Sequence, residues 1–156
     1  MEAELRLALA DDLDQLIRLH DRELDADTIA ALRANAFPNG LALPPVGEAG
    51  QAAYVNMAAA LAEPVTLDEL AADYAAVYLN NSLGASPYES VWLSDDHLAC
   101  ASPMFELRDL YAAAGLKAAD WRSRFDDHLV LQLLYLRHVL ANVAVDAENT
   151  ANFIDE

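Results

Sequence analysis

The sequence predicts an all-α protein, a single-domain helical bundle, on two observations. Hydrophobic residues make up 55% of the 156 residues, and Ala and Leu, which favour helices, outnumber the strand-favouring Val, Ile and Thr. Apolar residues also recur at three- and four-residue steps, the spacing that places side chains on one face of a helix. A chain of this length buries about two-thirds of its unfolded surface, which is enough for one core.

Three helices are predicted in the first part of the chain. Acids and arginines separate the apolar residues between Leu5 and Leu24, which indicates an amphipathic helix. Asp27 and Thr28 predict the cap of a second, shorter helix, which ends at the Phe-Pro-Asn-Gly turn at residues 37–40. A loop with two consecutive prolines then leads to a third helix, from Glu48 to Leu61.

Three more helices are predicted after it. Thr66 and Glu69 have the spacing of a capping box, so a fourth helix starts there and continues through residue 78. A fifth spans Met104 to Ala114, and Asp126 or Asp127 is expected to cap a sixth. The connection over residues 80–103 is long for a compact domain, and connections of that length are often functional.

The net charge of −17 and the pI of about 4.3 exclude several partners. Such a chain repels nucleic acid and anionic lipid and attracts a basic peptide. The sequence contains no run of ~20 apolar residues, so membrane insertion is not expected, and its N-terminus lacks the basic start of a signal peptide. The single cysteine, Cys100, cannot form an internal disulfide, which fits a cytoplasmic location.

Sequence motifs for catalysis and for metal or cofactor binding are missing. No HExxH pair, EF-hand loop or phosphate-binding loop occurs. Cys100 lies in no recognisable nucleophile motif and is predicted to be a small buried hydrophobic residue. We therefore expect no catalytic residue, no metal, no cofactor and no enzyme activity.

The aromatic residues Tyr74, Tyr78, Tyr88 and Trp92 are the remaining candidates for a site. Tyr74 and Tyr78 are four residues apart on one helix face, and the other two lie in the long connection. Core packing is the favoured interpretation of Tyr78 and Trp92, with a binding role as the alternative, whereas Tyr88 is expected on the surface of a turn. Aromatic rings beside acids suit an apolar helical peptide flanked by arginines.

Three motifs, in order and approximate spacing, resemble the TorD/DmsD family of molybdoenzyme maturation chaperones, the redox enzyme maturation proteins. They are an aromatic-x-x-aliphatic-aromatic helix (Tyr74-Ala75-Ala76-Val77-Tyr78), a Pro-aromatic-x-Ser loop (Ser86-Pro87-Tyr88-Glu89-Ser90-Val91-Trp92-Leu93) and the hinge pair Asp127-His128. The sequence of the loop is similar to that in chaperones for the type II dimethyl sulfoxide reductase group. The resemblance covers roughly residues 67–140.

The resemblance implies an all-helical cytoplasmic chaperone that binds the apo catalytic subunit of a molybdopterin oxidoreductase, often at its twin-arginine signal peptide. It would assist cofactor insertion before assembly or export, by binding and without turnover. The implied peptide-binding residues are Tyr74, Tyr78, Ser86, Pro87, Tyr88, Glu89, Ser90, Trp92, Asp127 and His128. The implied domains are an N-terminal helical part, residues 1–125 with its binding loop at 80–103, and the start of a C-terminal part, residues 126–156.

The chain departs from the family in two ways. The hinge reads Arg124-Phe125-Asp126-Asp127-His128, without the usual Glu and Pro. Relatives continue for several helices, so C-terminal helices are expected to be missing beyond Phe153 and Ile154, and the exposed core face predicts a homodimer formed by helix exchange. Two alternative functions stay open: a structural helical subunit of a larger complex, and a nucleotide-binding or hydrolytic protein.

Overall fold

The structure, a computed structural model, describes residues 3–80 and 82–142 and confirms the all-α fold. Seven α-helices are formed there: α1 (Ala3–Asp21), α2 (Ala26–Ala34), α3 (Gly47–Ala62), α4 (Leu67–Tyr74), α5 (Glu89–Leu93), α6 (Ser102–Ala113) and α7 (Leu129–Ala141). Within the same residues, none of the helices is long and apolar enough to cross a bilayer.

Helix α7 is the centre of the core because two of its faces are buried. One face packs against α1, where the contributing residues are Ala10, Leu13, Ile17, Val130 and Leu140. The other packs against α6 through Leu107, Tyr111, Tyr135 and Val139. A helix with apolar residues on both sides is expected between two neighbours, and the mostly apolar sequence of α7 fits this position.

The capping box predicted at the start of α4 is confirmed. The Glu69 N–H donates to the Thr66 hydroxyl at 3.2 Å, and the Thr66 N–H donates to the Glu69 carboxylate at 2.9 Å. At its C-terminal end the helix continues beyond Tyr74 as one π-helical turn, Ala75–Leu79. Such turns are frequent at functional sites, and this one carries Tyr78.

Two predicted caps are wrong. Helix α2 begins after Asp25, whose carboxylate accepts the Thr28 N–H at 2.7 Å, so the predicted cap residues lie inside the helix. Helix α7 is capped by His128, whose ring nitrogen accepts the Val130 N–H. Asp126 and Asp127 are not free to cap α7, because both carboxylates bind groups from distant parts of the chain.

The connection over residues 80–103 is more structured than predicted, because it contains the short helix α5. Cys100, expected to be buried, is exposed and has a φ of 67°. The expectations for Phe153 and Ile154 concern residues outside the described part of the chain. The division into residues 1–125 and 126–156 stays a prediction.

Candidate functional site

The structure joins two of the sequence motifs by an isolated antiparallel β-bridge between Tyr88 and His128. The Leu129 N–H donates to the Pro87 carbonyl at 2.8 Å, and the Glu89 N–H donates to the Asp127 carbonyl at 3.2 Å. These backbone bonds attach the start of α5 to the start of α7. The loop motif and the hinge pair therefore belong to one site, although they are far apart in the sequence.

Asp127 fixes the same junction with its side chain. Its carboxylate accepts the Ser90 N–H at 2.9 Å, and Asp127 and Ser90 are both 0% exposed. The Ser90 hydroxyl in turn accepts the Ala101 N–H at 3.2 Å, so one buried serine links α5 to the segment before α6. The second Asp127 oxygen, Oδ1, is buried without a hydrogen-bond partner. Asp127 therefore holds the loop, and a ligand cannot reach it.

His128 is held in its neutral form. Its Nδ1 accepts the Val130 N–H at 3.1 Å, and its ring lies 5.1 Å, between centroids, from that of Tyr88 in an edge-on contact. Burial lowers the pKa of His128 to about 4, and Arg124 also lowers this pKa, whereas Asp21 raises it. The neutral ring therefore caps α7 at neutral pH, since the capping nitrogen must be unprotonated.

The three tyrosines of the predicted site are half-buried and form contacts within the protein. The Tyr74 hydroxyl donates to the Asp21 carbonyl at 3.0 Å, and the Tyr78 hydroxyl hydrogen-bonds to Nδ1 of His20. The Tyr88 ring contacts Phe125, contrary to the free turn surface expected for it. Burial raises the pKa of Tyr78 and of Tyr88, so both hydroxyls stay protonated at neutral pH.

Sequence reasoning missed a set of residues that tie the end of α1 to this cluster. Arg124 donates to the Asp21 carboxylate at 2.6 Å and to the Asp21 carbonyl at 2.9 Å. His20 lies next to Asp21 and contacts Tyr78. No sequence signal connects α1 with residue 124, because the contact depends on how α1 packs. The position of Arg124 within the hinge motif is the only local hint.

Trp92 is the most accessible aromatic residue of the predicted site, with 59% of its surface exposed. Its indole N–H donates to the Ser86 carbonyl at 2.9 Å, which orients the ring. Three leucines from the same segment are also exposed, and we refer to Leu83, Trp92, Leu93 and Leu98 as the loop surface. The acids Glu89, Asp95 and Asp96 lie in the same segment. Core packing, which the sequence favoured for Trp92, is therefore wrong.

The chemistry that the site can perform is binding. The half-buried residues Ser86, Pro87 and Glu89 join the buried junction to the exposed loop surface. The Gln132 side chain donates to the Glu89 carboxylate and to the Asp127 carbonyl, both at 3.1 Å. Across the described residues, no three His, Cys, Asp or Glu side chains are grouped to hold a metal ion.

The lowered pKa of His128 predicts a pH dependence of stability. Its folded-state pKa of about 4 lies below the ordinary value of 6.5, so the unfolded chain binds more protons between these values. The stabilisation is complete above pH 6.5 and is lost as the pH falls toward 4. We expect the free energy of unfolding, measured with urea, to fall between pH 7 and pH 5. The fall should be larger in the natural chain than in His128→Asn, by about 1 to 2 kcal/mol.

Asn is the matched replacement because its side-chain oxygen caps helices without titrating in this range. Any contribution from His20, whose pKa is also lowered by burial, is present in both proteins and cancels in the comparison. Equal losses in the two proteins would show that His128 is not held neutral by the fold.

The chain is similar to a known protein family and to a group of chaperones. A family model described as nitrate reductase delta subunit matches residues 43–156. The chain is 37% identical, over 84 residues, to the chaperone protein TorD from two strains of Vibrio cholerae serotype O1. That match covers 53% of this chain but 37% of the length of each relative. No solved structure matches the chain.

Proposed function

Because the chain belongs to the nitrate reductase delta subunit family, we propose that it is a chaperone for the maturation of a molybdoenzyme. The relatives named chaperone protein TorD support this function. The protein acts by binding the catalytic subunit of that enzyme and performs no turnover. Its place of action is the cytoplasm, where such a subunit is folded before assembly or export.

The loop surface is the observation that carries the proposal. Trp92 and Leu93 are 59% and 66% exposed on a short helix that the buried Asp127–Ser90 contact fixes in place. Contiguous exposed apolar side chains mark sites of protein interaction, and these two are consecutive in α5. An incoming apolar helix would bury these side chains, and the fixed helix would lose little conformational entropy on binding.

The acids near the loop surface favour an occupant that contains arginine. Asp95 and Asp96 are exposed directly after α5, and Glu89 lies at its start. Their carboxylates are suited to bidentate contacts with guanidinium groups, and the net charge of −17 attracts a basic segment. We propose that the occupant is the twin-arginine signal peptide of the apo catalytic subunit, held until the cofactor is inserted.

The ten residues predicted for the site divide into two roles in this proposal. Trp92 contacts the peptide, and Glu89 attracts its arginines. The others hold the binding surface in position: Tyr74, Tyr78, Ser86, Pro87, Tyr88, Ser90, Asp127 and His128. A client from the type II dimethyl sulfoxide reductase group and a homodimer formed by helix exchange are further proposals. Light scattering of the concentrated protein tests the homodimer.

Calorimetric titration with a twin-arginine signal peptide from a molybdoenzyme tests the function. We expect micromolar binding that weakens at least about tenfold in Trp92→Ala, since exposed tryptophans at the centre of an interface contribute about 2 kcal/mol or more. Trp121→Ala is the matched control, because Trp121 is also partly exposed, at 44%, but lies outside the loop surface.

A second peptide, with both arginines replaced by glutamine, tests the role of the acids. It should bind more weakly than the natural peptide, and the difference should shrink in an Asp95→Asn, Asp96→Asn variant. Equal affinity of Trp92→Ala and the natural chain would place the peptide elsewhere. No binding of the natural peptide would contradict the signal-peptide proposal.

A further inference from the structure

A second candidate surface lies between α6, α7 and the segment that follows α6. Two cavities of about 310 Å³ and 280 Å³ share Leu116, Lys117 and Ala118 as a common wall. We call them together the α6–α7 trough. The rest of its lining includes Arg108, Trp121, Asp126, Leu131, Leu134 and Arg137. None of the ten residues of the peptide site lines it.

The walls of the trough are mostly apolar and partly accessible. Leu134 and Trp121 are 42% and 44% exposed, whereas Leu116 and Leu131 of the same lining pack against the second core cluster. The Trp121 ring is held in place because the Arg108 guanidinium lies 5.0 Å from its centroid. Arg108 is itself held by Asp126, at 2.7 Å. The aromatic side of the trough is therefore held in a fixed position by contacts within the protein.

The charges of the trough are opposite to those of the whole chain. The protein has 26 acidic and 9 basic residues, but one acid, Asp126, lines the trough together with Arg108, Lys117 and Arg137. Asp126 is paired with Arg108, and Arg137 is paired with Asp14 at 2.6 Å. Lys117 makes no ion pair with any residue in 3–80 or 82–142. Among the described residues, Lys117 is therefore a cation without an ion-pair partner, and it lines both cavities.

We propose that the α6–α7 trough binds an apolar segment of a partner protein that carries a carboxylate side chain opposite Lys117. Apolar side chains would fill the two cavities, and one Asp or Glu would pair with the ammonium group between them. This surface selects a segment of opposite charge to the one attracted by the loop surface. The proposal stands on its own observations and does not depend on the signal peptide.

The net charge argues against other anionic occupants. The net charge of −17 would repel a polyanion such as nucleic acid, or an anionic membrane. Attraction to the one lysine of the trough would not offset this repulsion. A second copy of the chain would bring the same charge and the same repulsion. An apolar segment with one carboxylate avoids this cost because it carries little charge of its own.

Selection from a phage-displayed library of random 12-residue peptides tests the proposal. The full chain is the bait, and each enriched clone is then measured on Lys117→Glu and Arg18→Glu. Both variants change the charge equally at exposed positions, and Arg18 lies on α1 outside the trough. We expect clones that are apolar with an Asp or Glu, that bind Arg18→Glu normally and that bind Lys117→Glu at least tenfold more weakly.

The best clone is then measured as a synthetic peptide. In a Trp92→Phe background, Trp121 is the only tryptophan, so its fluorescence should change on binding. Replacing the acidic residue of the peptide by Gln or Asn should weaken binding about tenfold. Trp92→Ala should leave this binding unchanged, which separates the result from the signal-peptide test. Circular dichroism of each variant checks that the fold is retained.

Several outcomes would overturn the proposal. One is that no enriched clone depends on Lys117. Another is that the clones that depend on Lys117 are basic. A third is that the fluorescence of Trp121 does not change when the peptide binds. Clones that bind only a chain shortened after Asn142 would show that residues 143–156 occupy the trough instead. A dimer in light scattering that Lys117→Glu dissociates would show that a second copy does.

Discussion

Replacing Asp127 by Ala is expected to destabilise the fold and to release α5 from α7. The variant removes the acceptor of the Ser90 N–H, and it leaves that donor buried at a residue that is 0% exposed. A hydrogen bond to a charged group and an unsatisfied buried donor each contribute about 1 to 3 kcal/mol. The lost carboxylate was itself costly to bury, so we expect a net loss of about 2 kcal/mol in unfolding free energy.

Asp127→Asn is the matched control. The amide oxygen can still accept the Ser90 N–H, and the uncharged side chain removes part of the burial cost at Oδ1, which has no hydrogen-bond partner. We expect it to stay within about 1 kcal/mol of the natural chain. Urea unfolding gives the free energies, and hydrogen exchange at the Ser90 and Ala101 amides reports whether α5 is released. Equal stability of the Ala variant and the natural chain would contradict the anchoring role of Asp127.

Leu13→Ala is expected to cause the largest loss of stability. Leu13 is 4% exposed in the core cluster between α1 and α7. Truncating a buried leucine to alanine costs about 2 to 5 kcal/mol, because burial is lost and a cavity remains. A loss in that range would lower the melting temperature of a chain of this size by about 4 to 20 °C, measured by circular dichroism.

Leu7→Ala provides the control on the same helix. Leu7 is 59% exposed, and Leu and Ala have similar helix propensities, so its effect should stay within about 0.5 kcal/mol. If both variants lost equal stability, the α1–α7 interface would not be the core that the structure shows.

Much of the local structure follows from the sequence. The three- and four-residue spacing of apolar residues predicted the major helices, and the Thr66–Glu69 pair predicted the start of α4, because helix periodicity and capping act within a few residues. The motifs also indicated the family to which the chain belongs. The same local signals misplaced the caps of α2 and α7. Asp25 and Asp27 are equivalent cap candidates by sequence, and both acids before α7 bind distant groups, which leaves His128 as the cap.

Contacts between distant residues were decided by the tertiary structure alone. The sequence identified Asp127 and His128, but only the fold directs the Asp127 carboxylate to Ser90 and makes the His128 ring a helix cap. It likewise brings Arg124 to Asp21 and leaves Trp92 exposed.

The physical reason is the range of the interactions involved. Periodicity, capping and net charge are properties of neighbouring residues or of the whole composition, so the sequence by itself determined the helices, the family motifs and the acidic character. Burial and long-range hydrogen bonds depend on which helix faces meet, and for Asp127, Trp92 and Lys117 that was decided only when α1 and α6 packed against α7.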